Sequence, residues 1–374
     1  MNKVPFYSLD YVSETLGPDL RSAFGNVLDA NWFIRGPRCE QFEKAFAGYC
    51  GAKFGVGTGN GLDALTLMLR ASMELGRLAK GDEVIVPANT FIATVLAVRA
   101  AGLVPVLVEP DRETCNLDVS RLDEACSKRT RAILAVHLYG RLADMSAICT
   151  FAKERGLLVF EDCAQAHGAV LEGARHACCA ARAYSFYPTK NLGALGDAGM
   201  VVTDDAELAC VVRALGNYGS EQKYVNKYEG VNSRLDEVQA ALLLEKLPHL
   251  DAWNARRREI AARYGREISN PQIRLTPVPA DPQSHVWHVF PVFCDRRDEL
   301  QQYLAARGIE TLVHYPVPPH LQETFSGASR RGELRYGPLP MAEELSHTEL
   351  SIPMGPGLRD DEVACVIAAL NDFV

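Results

Sequence analysis

Lys190 sits in the stretch 183–199, AYSFYPTKNLGALGDAG. Small and aromatic residues lead into Ser185, Phe186 and Tyr187, and a second apolar run, 200–203, follows. Between them Gly193, Gly196 and Gly199 let the backbone turn sharply without a Cβ clash. The pattern predicts a lysine held in a short loop between two strands. Partial desolvation there weakens the preference for the charged amine and makes it a nucleophile fit for Schiff-base chemistry. An isolated loop lysine is usually just solvated, so the weight of Lys190 comes from its company.

That company depends on the elements that carry it. Residues 83–87, 104–108, 132–136 and 157–160 have the pattern of short apolar strands, with helical periodicity at 92–101, 120–128 and 143–155 between them. Such alternation predicts a mostly parallel sheet covered on both faces, with functional residues just beyond the strand C-termini. At those ends stand Asn89, Thr90 and Phe91, then His137, Tyr139 and Gly140, then Glu161, Asp162, Gln165 and His167. Upstream, residues 55–65 (GVGTGNGLDAL) form a glycine-rich turn from a strand into a helix. Free amides at such a helix start favour a phosphate. The turn matches neither the Walker pattern nor the full dinucleotide fingerprint.

A lysine, a carboxylate, an aromatic ring and a phosphate cradle on one sheet edge fit pyridoxal phosphate, a cofactor that the protein positions and tunes. Lys190 is then the Schiff-base lysine, and Asp162 keeps the pyridine nitrogen protonated. Phe91 covers the ring and Gln165 bonds its hydroxyl oxygen. Ser185 and the amides of Asn60, Gly61 and Leu62 hold the phosphate. His167 has the character of a structural histidine.

The 374 residues exceed one ordinary domain, and 48% are apolar, enough for a sizeable core. The expected division is 1–250, a large cofactor-binding domain, and 251–374, a smaller α/β domain. The second follows a long helix at 250–268 and a proline-rich linker at 270–282, and contains a strand at 286–293, a helix at 298–307, a strand ending at residues 312–316 and a last helix near 360–372. The first 35 residues are mixed in pattern. A net charge of −8 without a basic block argues against nucleic acid as a partner, so an anionic ligand needs a local site. Eleven scattered cysteines show neither zinc spacing nor a disulfide framework. They predict reduced thiols and no metal site. No segment has the length of a membrane span, and a soluble cytoplasmic protein is expected.

Over almost its whole length the chain resembles nucleotide-sugar aminotransferases of the DegT/DnrJ/EryC1/StrS group. The resemblance rests on FIRGP, NGLDAL, PANTFIAT, HLYG, EDCAQAHGA, SFYPTKNLGALGDAG, NSRLDEVQAA and HYPVPPHLQ. It implies the type I fold of pyridoxal phosphate enzymes, like aspartate aminotransferase, with Lys190 also serving as the acid/base. It further implies that Asn232 reaches the cofactor phosphate of the neighbouring subunit, and hence a homodimer with shared active sites. Two stretches, GNYGSEQKYVN and TLVHYPVPPHLQ, resemble enzymes that aminate C-3 of dTDP-linked 3-keto-6-deoxyhexoses with L-glutamate as donor. Tyr187, Lys223, His314 and Tyr315 would then line the sugar-nucleotide site, and the amino sugar would serve surface polysaccharide, lipopolysaccharide or glycoside synthesis. Competing readings are a C-4 aminotransferase acting on a UDP- or dTDP-linked 4-keto sugar and a catalytically silent sensor of the same fold. A dehydratase of the group would carry histidine in place of Lys190. Some members have NYR where Asn232-Ser233-Arg234 stands here, and many have SGTDAL in place of NGLDAL.

Overall fold

The computed structural model describes residues 3–170 and 178–374. Seven strands build the sheet that carries the candidate site: β1 (Phe54–Thr58), β2 (Glu83–Pro87), β3 (Val104–Val108), β4 (Thr130–Val136), β5 (Leu158–Asp162), β6 (Cys179–Ser185) and β7 (Gly199–Thr203). Their order is β1-β7-β6-β5-β4-β2-β3. The pairs from β3 through β6 are parallel, while β7 runs antiparallel to both its neighbours. Strands such as VPVLV are buried along their whole length, as expected where helices cover both faces.

The helices follow in chain order: α1 (Asp10–Ala30), α2 (Pro37–Tyr49), α3 (Gly61–Glu74), α4 (Ile92–Ala100), α5 (Leu122–Ala125), α6 (Met145–Arg155), α7 (Ala206–Leu215), α8 (Glu237–Lys246), α9 (Leu250–Glu267), α10 (Arg297–Ala305), α11 (Pro340–Thr348) and α12 (Asp360–Asn371). Period-2 alternation divides the strands between two cores. Val84 and Val86 pack with Leu65, Met68 and Val98 of α3 and α4, whereas Ile85 packs with Ile133, Met145 and Ile148 toward α6. A third core joins Phe42 and Phe46 of α2 to Phe186 and to Leu243 of α8. Glu237 fixes the α2–α8 junction. Its carboxylate accepts the Gly36, Arg38 and Cys39 amides at 2.8, 2.6 and 3.1 Å, capping the first turn of α2.

Beyond α7 a two-stranded hairpin, β8 (Ser220–Gln222) and β9 (Val225–Asn226), stands out from the body. A separate antiparallel sheet joins β10 (Arg274–Leu275), β11 (Phe290–Phe293) and β12 (Glu349–Ile352). Its core gathers Ile260 and Tyr264 of α9, Leu300 and Leu304 of α10, and Val363, Val366 and Leu370 of α12.

Several expected elements differ. The N-terminal stretch is a 21-residue helix, whose buried Val12, Leu16, Leu20, Ala23 and Val27 keep helical spacing that Gly17 and Pro18 disguise. The helix expected at 120–128 is a 3₁₀ turn plus the single turn of α5. It stops because the Ser127 amide bonds Thr130 Oγ1 and the Ser127 hydroxyl bonds Glu83. The strand expected at 286–293 begins only at Phe290. Before it, the Val286 and His288 amides bond the carbonyls of Gly140 and Tyr139, tying this segment to the end of β4. Residues 312–316 form no strand and make one bridge, Leu312 to Ser351. The cysteines are not all free thiols. Cys149 of α6 and Cys178, just ahead of β6, form a disulfide with a Cα separation of 5.8 Å, because helix packing brings together residues 29 apart in sequence.

Candidate active site

The C-terminal ends of β4 and β5, the start of α3, the loop after β6 and the His314–Tyr315 segment enclose a cavity of about 560 Å³. Asp162 ends β5 and points into it. Its Oδ2 accepts the Thr94 hydroxyl at 2.8 Å and its Oδ1 accepts the Ala164 amide at 3.1 Å. Thr94 is in turn paired with Thr90 at 2.8 Å. Burial pushes the Asp162 carboxyl above its ordinary range, against the pull of those two donors and of Lys190.

Lys190 lines the same cavity. Burial lowers its amine to about 8, with Asp162 acting the other way. Two features set the loop that holds it. The Lys190 amide closes a turn onto the Tyr187 carbonyl at 2.8 Å. Gly193 lies so close to the Pro188 carbonyl oxygen that a Cβ would stand 2.2 Å from it. A second lysine, Lys246 at the end of α8, is only 3% exposed and donates to the Gly193 carbonyl at 2.7 Å. Burial alone lowers it to about 8.

Opposite Lys190, Asn60 caps α3 through an Oδ1 that accepts the Asp63 amide at 2.8 Å, so the helix begins at the cavity wall. A Cβ on Gly61 would lie 2.6 Å from the Ser185 Cβ. The missing side chain therefore brings the Ser185 hydroxyl beside the first amides of a 14-residue helix, a cradle for an oxyanion. Ser233 braces this turn, donating to Asp63 Oδ2 at 2.6 Å and accepting the Gly59 amide at 3.0 Å.

The remaining wall is aromatic and amide. Phe91 and Tyr315 lie 5.2 Å apart, centroid to centroid. Gln165 accepts the Tyr139 amide at 2.5 Å and donates through Nε2 to the Tyr315 hydroxyl at 3.0 Å. The Tyr139 hydroxyl donates to the His314 carbonyl at 2.6 Å. Burial raises the Tyr315 phenol, and burial followed by the charge of Lys190 lowers His314 to about 4.

Asn60, Gly61, Leu62, Phe91, Asp162, Gln165, Ser185, Tyr187, Lys190, His314 and Tyr315 thus share one cavity. Lys223 and Asn232 do not line it. Lys223 is exposed at the turn of the β8–β9 hairpin, its Nζ 5.2 Å over the Tyr224 ring, and Asn232 is exposed beside Ser233. His167 packs among Phe46, Tyr184 and Phe186, and burial lowers it to about 3. On the other face of β5, His137 Nε2 bonds Glu161 at 2.8 Å while its Nδ1 accepts the Ala143 amide at 3.1 Å, so both ring nitrogens are engaged.

Sequence reasoning missed Thr94, Lys246 and the bracing role of Ser233. For Thr94 a signal existed, since it stands in the first turn of the helix that directly follows Thr90 and Phe91 at the strand end. Nothing local marks Lys246, whose partner is 53 residues away.

The donor set fits pyridoxal phosphate: an amine lowered by burial, a buried carboxylate, and a cradle that a Cβ on Gly61 would fill. The model of the DegT/DnrJ/EryC1/StrS aminotransferase family matches residues 15–371. This chain belongs to that family. It is 47% identical over 371 residues to the dTDP-3-amino-3,6-dideoxy-alpha-D-galactopyranose transaminase of Aneurinibacillus thermoaerophilus, covering 99% of both chains. It is also 47% identical to the dTDP-3-amino-3,4,6-trideoxy-alpha-D-glucose transaminase of Streptomyces venezuelae, covering 99% of this chain and 96% of that one. The solved structure of S. venezuelae DesV in complex with a ketimine intermediate superposes with a TM-score of 0.93 at 46% identity, each chain covered in full. The type I fold and the aminotransferase activity expected from the sequence follow from this membership. The seven-stranded, mostly parallel sheet agrees with that fold.

Proposed function

We propose that this chain transfers the amino group of L-glutamate, by way of pyridoxal phosphate, to C-3 of a dTDP-linked 3-keto-6-deoxyhexose. The product is the dTDP-3-amino-3,6-dideoxyhexose, a precursor for surface polysaccharide, lipopolysaccharide or glycoside synthesis. One observation carries the reading: the whole chain is 47% identical to a transaminase named for such a sugar, and the lysine, carboxylate and amide that the chemistry needs face one cavity.

When bound, the cofactor supplies an electron sink and carries the amino group. The chain's own residues do the rest. Lys190 Nζ takes and returns the proton at the reacting carbon, which its lowered pKa permits near neutral pH. Asp162, oriented by Thr94 and the Ala164 amide, holds a proton on the pyridine nitrogen. Gln165 Nε2 holds the ring hydroxyl oxygen, Phe91 covers the ring, and Ser185 with the Asn60–Leu62 turn holds the phosphate. Tyr187, His314 and Tyr315 meet the sugar nucleotide. Lys223 and Asn232 are exposed and do not line this chain's own cavity, and in this reading they serve the partner's site in a homodimer. Among the described residues no helix is long and apolar enough to cross a membrane, and the working compartment in this reading is the cytoplasm.

The test is product analysis by NMR after incubation with glutamate and, in parallel, dTDP-linked 3-keto and 4-keto hexoses and a UDP-linked 4-keto sugar. Nitrogen at C-3 of the dTDP sugar is expected. Nitrogen at C-4, or turnover of only the UDP substrate, overturns the substrate assignment and leaves the aminotransferase in place. No transamination of any of them favours the silent sensor.

A further inference from the structure

Behind His314 lies a buried polar chain that the proposed chemistry does not use. Glu349, the first residue of β12, is fully buried. One carboxylate oxygen, Oε2, accepts the His314 backbone amide at 2.6 Å. The other, Oε1, meets the Ser351 hydroxyl at 2.5 Å, and Ser351 Oγ meets His314 Nδ1 at 2.9 Å. His314 lines the cavity. No hydrogen-bond partner binds its Nε2 among the described residues.

A serine hydroxyl carries one proton, so the chain can point only two ways. With Glu349 ionised, Ser351 donates to Oε1 and must accept from Nδ1–H, which leaves Nε2 a bare acceptor. With Glu349 protonated on Oε1, that proton goes to Ser351 Oγ, the Ser351 proton goes to Nδ1, and the imidazole keeps its hydrogen on Nε2. The two states differ by one proton. It enters at Nε2, the cavity end, and a matching shift along the chain neutralises Oε1. We propose that Glu349, acting through Ser351, is a positioning residue that sets the tautomer of His314 and so decides whether Nε2 accepts from or donates to a hydroxyl of the bound sugar nucleotide. That last clause rests on the proposed function, whereas the tautomer switch does not.

The surroundings support the switch. Arg297 comes nearest as a cation, but its Nη1 bonds the Glu349 backbone carbonyl at 3.1 Å and not the carboxylate. The other titratable groups facing Glu349 are Tyr139, Tyr315 and Cys115, all neutral at physiological pH. Desolvation therefore dominates and raises Glu349 to about 8, against Ser351, the His314 amide and Arg297. On the imidazole side stand Lys190 and His288. Burial beside Lys190 keeps His314 uncharged, so its tautomer and not its charge is free to change.

The experiment uses the holoenzyme labelled with ¹⁵N in its histidine rings, with His314 assigned by comparison with His314→Gln. Two-bond ¹H–¹⁵N spectra across pH 6 to 9.5 should show the hydrogen on Nε2 at the low end and on Nδ1 at the high end. In Glu349→Gln the amide oxygen keeps the His314 backbone contact and the NH₂ donates to Ser351, so Nε2 should stay protonated at every pH. Ser351→Ala should abolish the dependence, and Ser351→Thr should restore it. In parallel, KM for the sugar nucleotide should change several-fold across the window in wild type and stay flat in Glu349→Gln, with KM for glutamate unmoved in both. A single His314 tautomer throughout the pH range in wild type overturns the proposal, and this holds even if neither the Glu349 nor the Ser351 variants fold. Failure of the enzyme to turn over a dTDP sugar overturns the function and leaves the spectra readable.

Discussion

Lys190 owes its reactivity to the place where its ammonium is kept. Burial takes the amine down to about 8, and the nearby Asp162 charge stops it falling further. Lys190→Ala removes the proposed acid/base and should lower transamination by at least ~10²–10⁴. Asp162 and the phosphate cradle should still hold the cofactor, now without a covalent link. Borohydride trapping and single-turnover assays check both points, and near-normal turnover would remove Lys190 from the mechanism. In the proposed reaction Lys223 has a different task. It is exposed, and in a chain of net charge −8 a pyrophosphate needs a dedicated cation. Lys223→Ala should raise KM for the sugar nucleotide by about 10- to 100-fold, the equivalent of ~1.5–3 kcal/mol for a hydrogen bond to a charged group, and leave cofactor affinity unchanged. Equal losses for cofactor and substrate would point to misfolding of the hairpin instead.

Two elements meet where the lysine loop and the phosphate cradle are built. At the start of α3, even one methyl group on Gly61 would stand 2.6 Å from Ser185 Cβ. Gly61→Ala should therefore weaken cofactor binding at least ~10-fold, about 1.4 kcal/mol, as read by absorbance titration, with little change in the stability of the apoprotein. At the end of α8, Lys246 holds the lysine loop through the Gly193 carbonyl and has no carboxylate partner among its described hydrogen bonds. Its pKa falls from 10.5 to about 8 on folding. Between those values the unfolded chain binds more protons than the folded one, so folding becomes more favourable as pH rises. Wild type should gain on Lys246→Met by up to ~1.4 kcal/mol per pH unit in that window. Urea unfolding of both proteins at pH 7.5, 9 and 10 measures the gap. A constant gap would mean that Lys246 has the same pKa in the folded and unfolded chain, its ammonium charged and hydrated in the native state.

At the scale of the whole molecule, the proposed homodimer accounts for the positions of two residues. Asn232 and Lys223 are on the exterior, while the groups they were expected to accompany are inside the cavity. In the proposed homodimer a second copy receives them. If sites are shared, a Lys190→Ala subunit paired with an Asn232→Ala subunit makes one fully competent site and one doubly defective site. Co-refolding equal amounts should then recover about a quarter of wild-type activity, from hybrids that form half of a random mixture. Recovery no greater than the sum of the two variants, or full activity in a monomeric fraction, would end the shared-site reading.

By itself the sequence determined the parallel sheet, the strand-end placement of Asp162 and Gln165, and the glycine-relieved loop of Lys190. Each is a local pattern: short apolar runs, helical spacing between them, and glycines where a Cβ cannot fit. The same logic failed where contacts between distant segments overrode local preference. Val286 and His288 bond the end of β4 in place of extending β11, and Ser127 ends α5 by turning toward Glu83. Tertiary structure alone decided that Thr94 orients Asp162, that Lys246 reaches Gly193, and that Glu349 and Ser351 stand behind His314. Those partners lie 68, 53, 35 and 37 residues apart in sequence. No periodicity spans such distances, because each contact joins separate elements: α4 to β5, α8 to the lysine loop, and the His314 segment to β12.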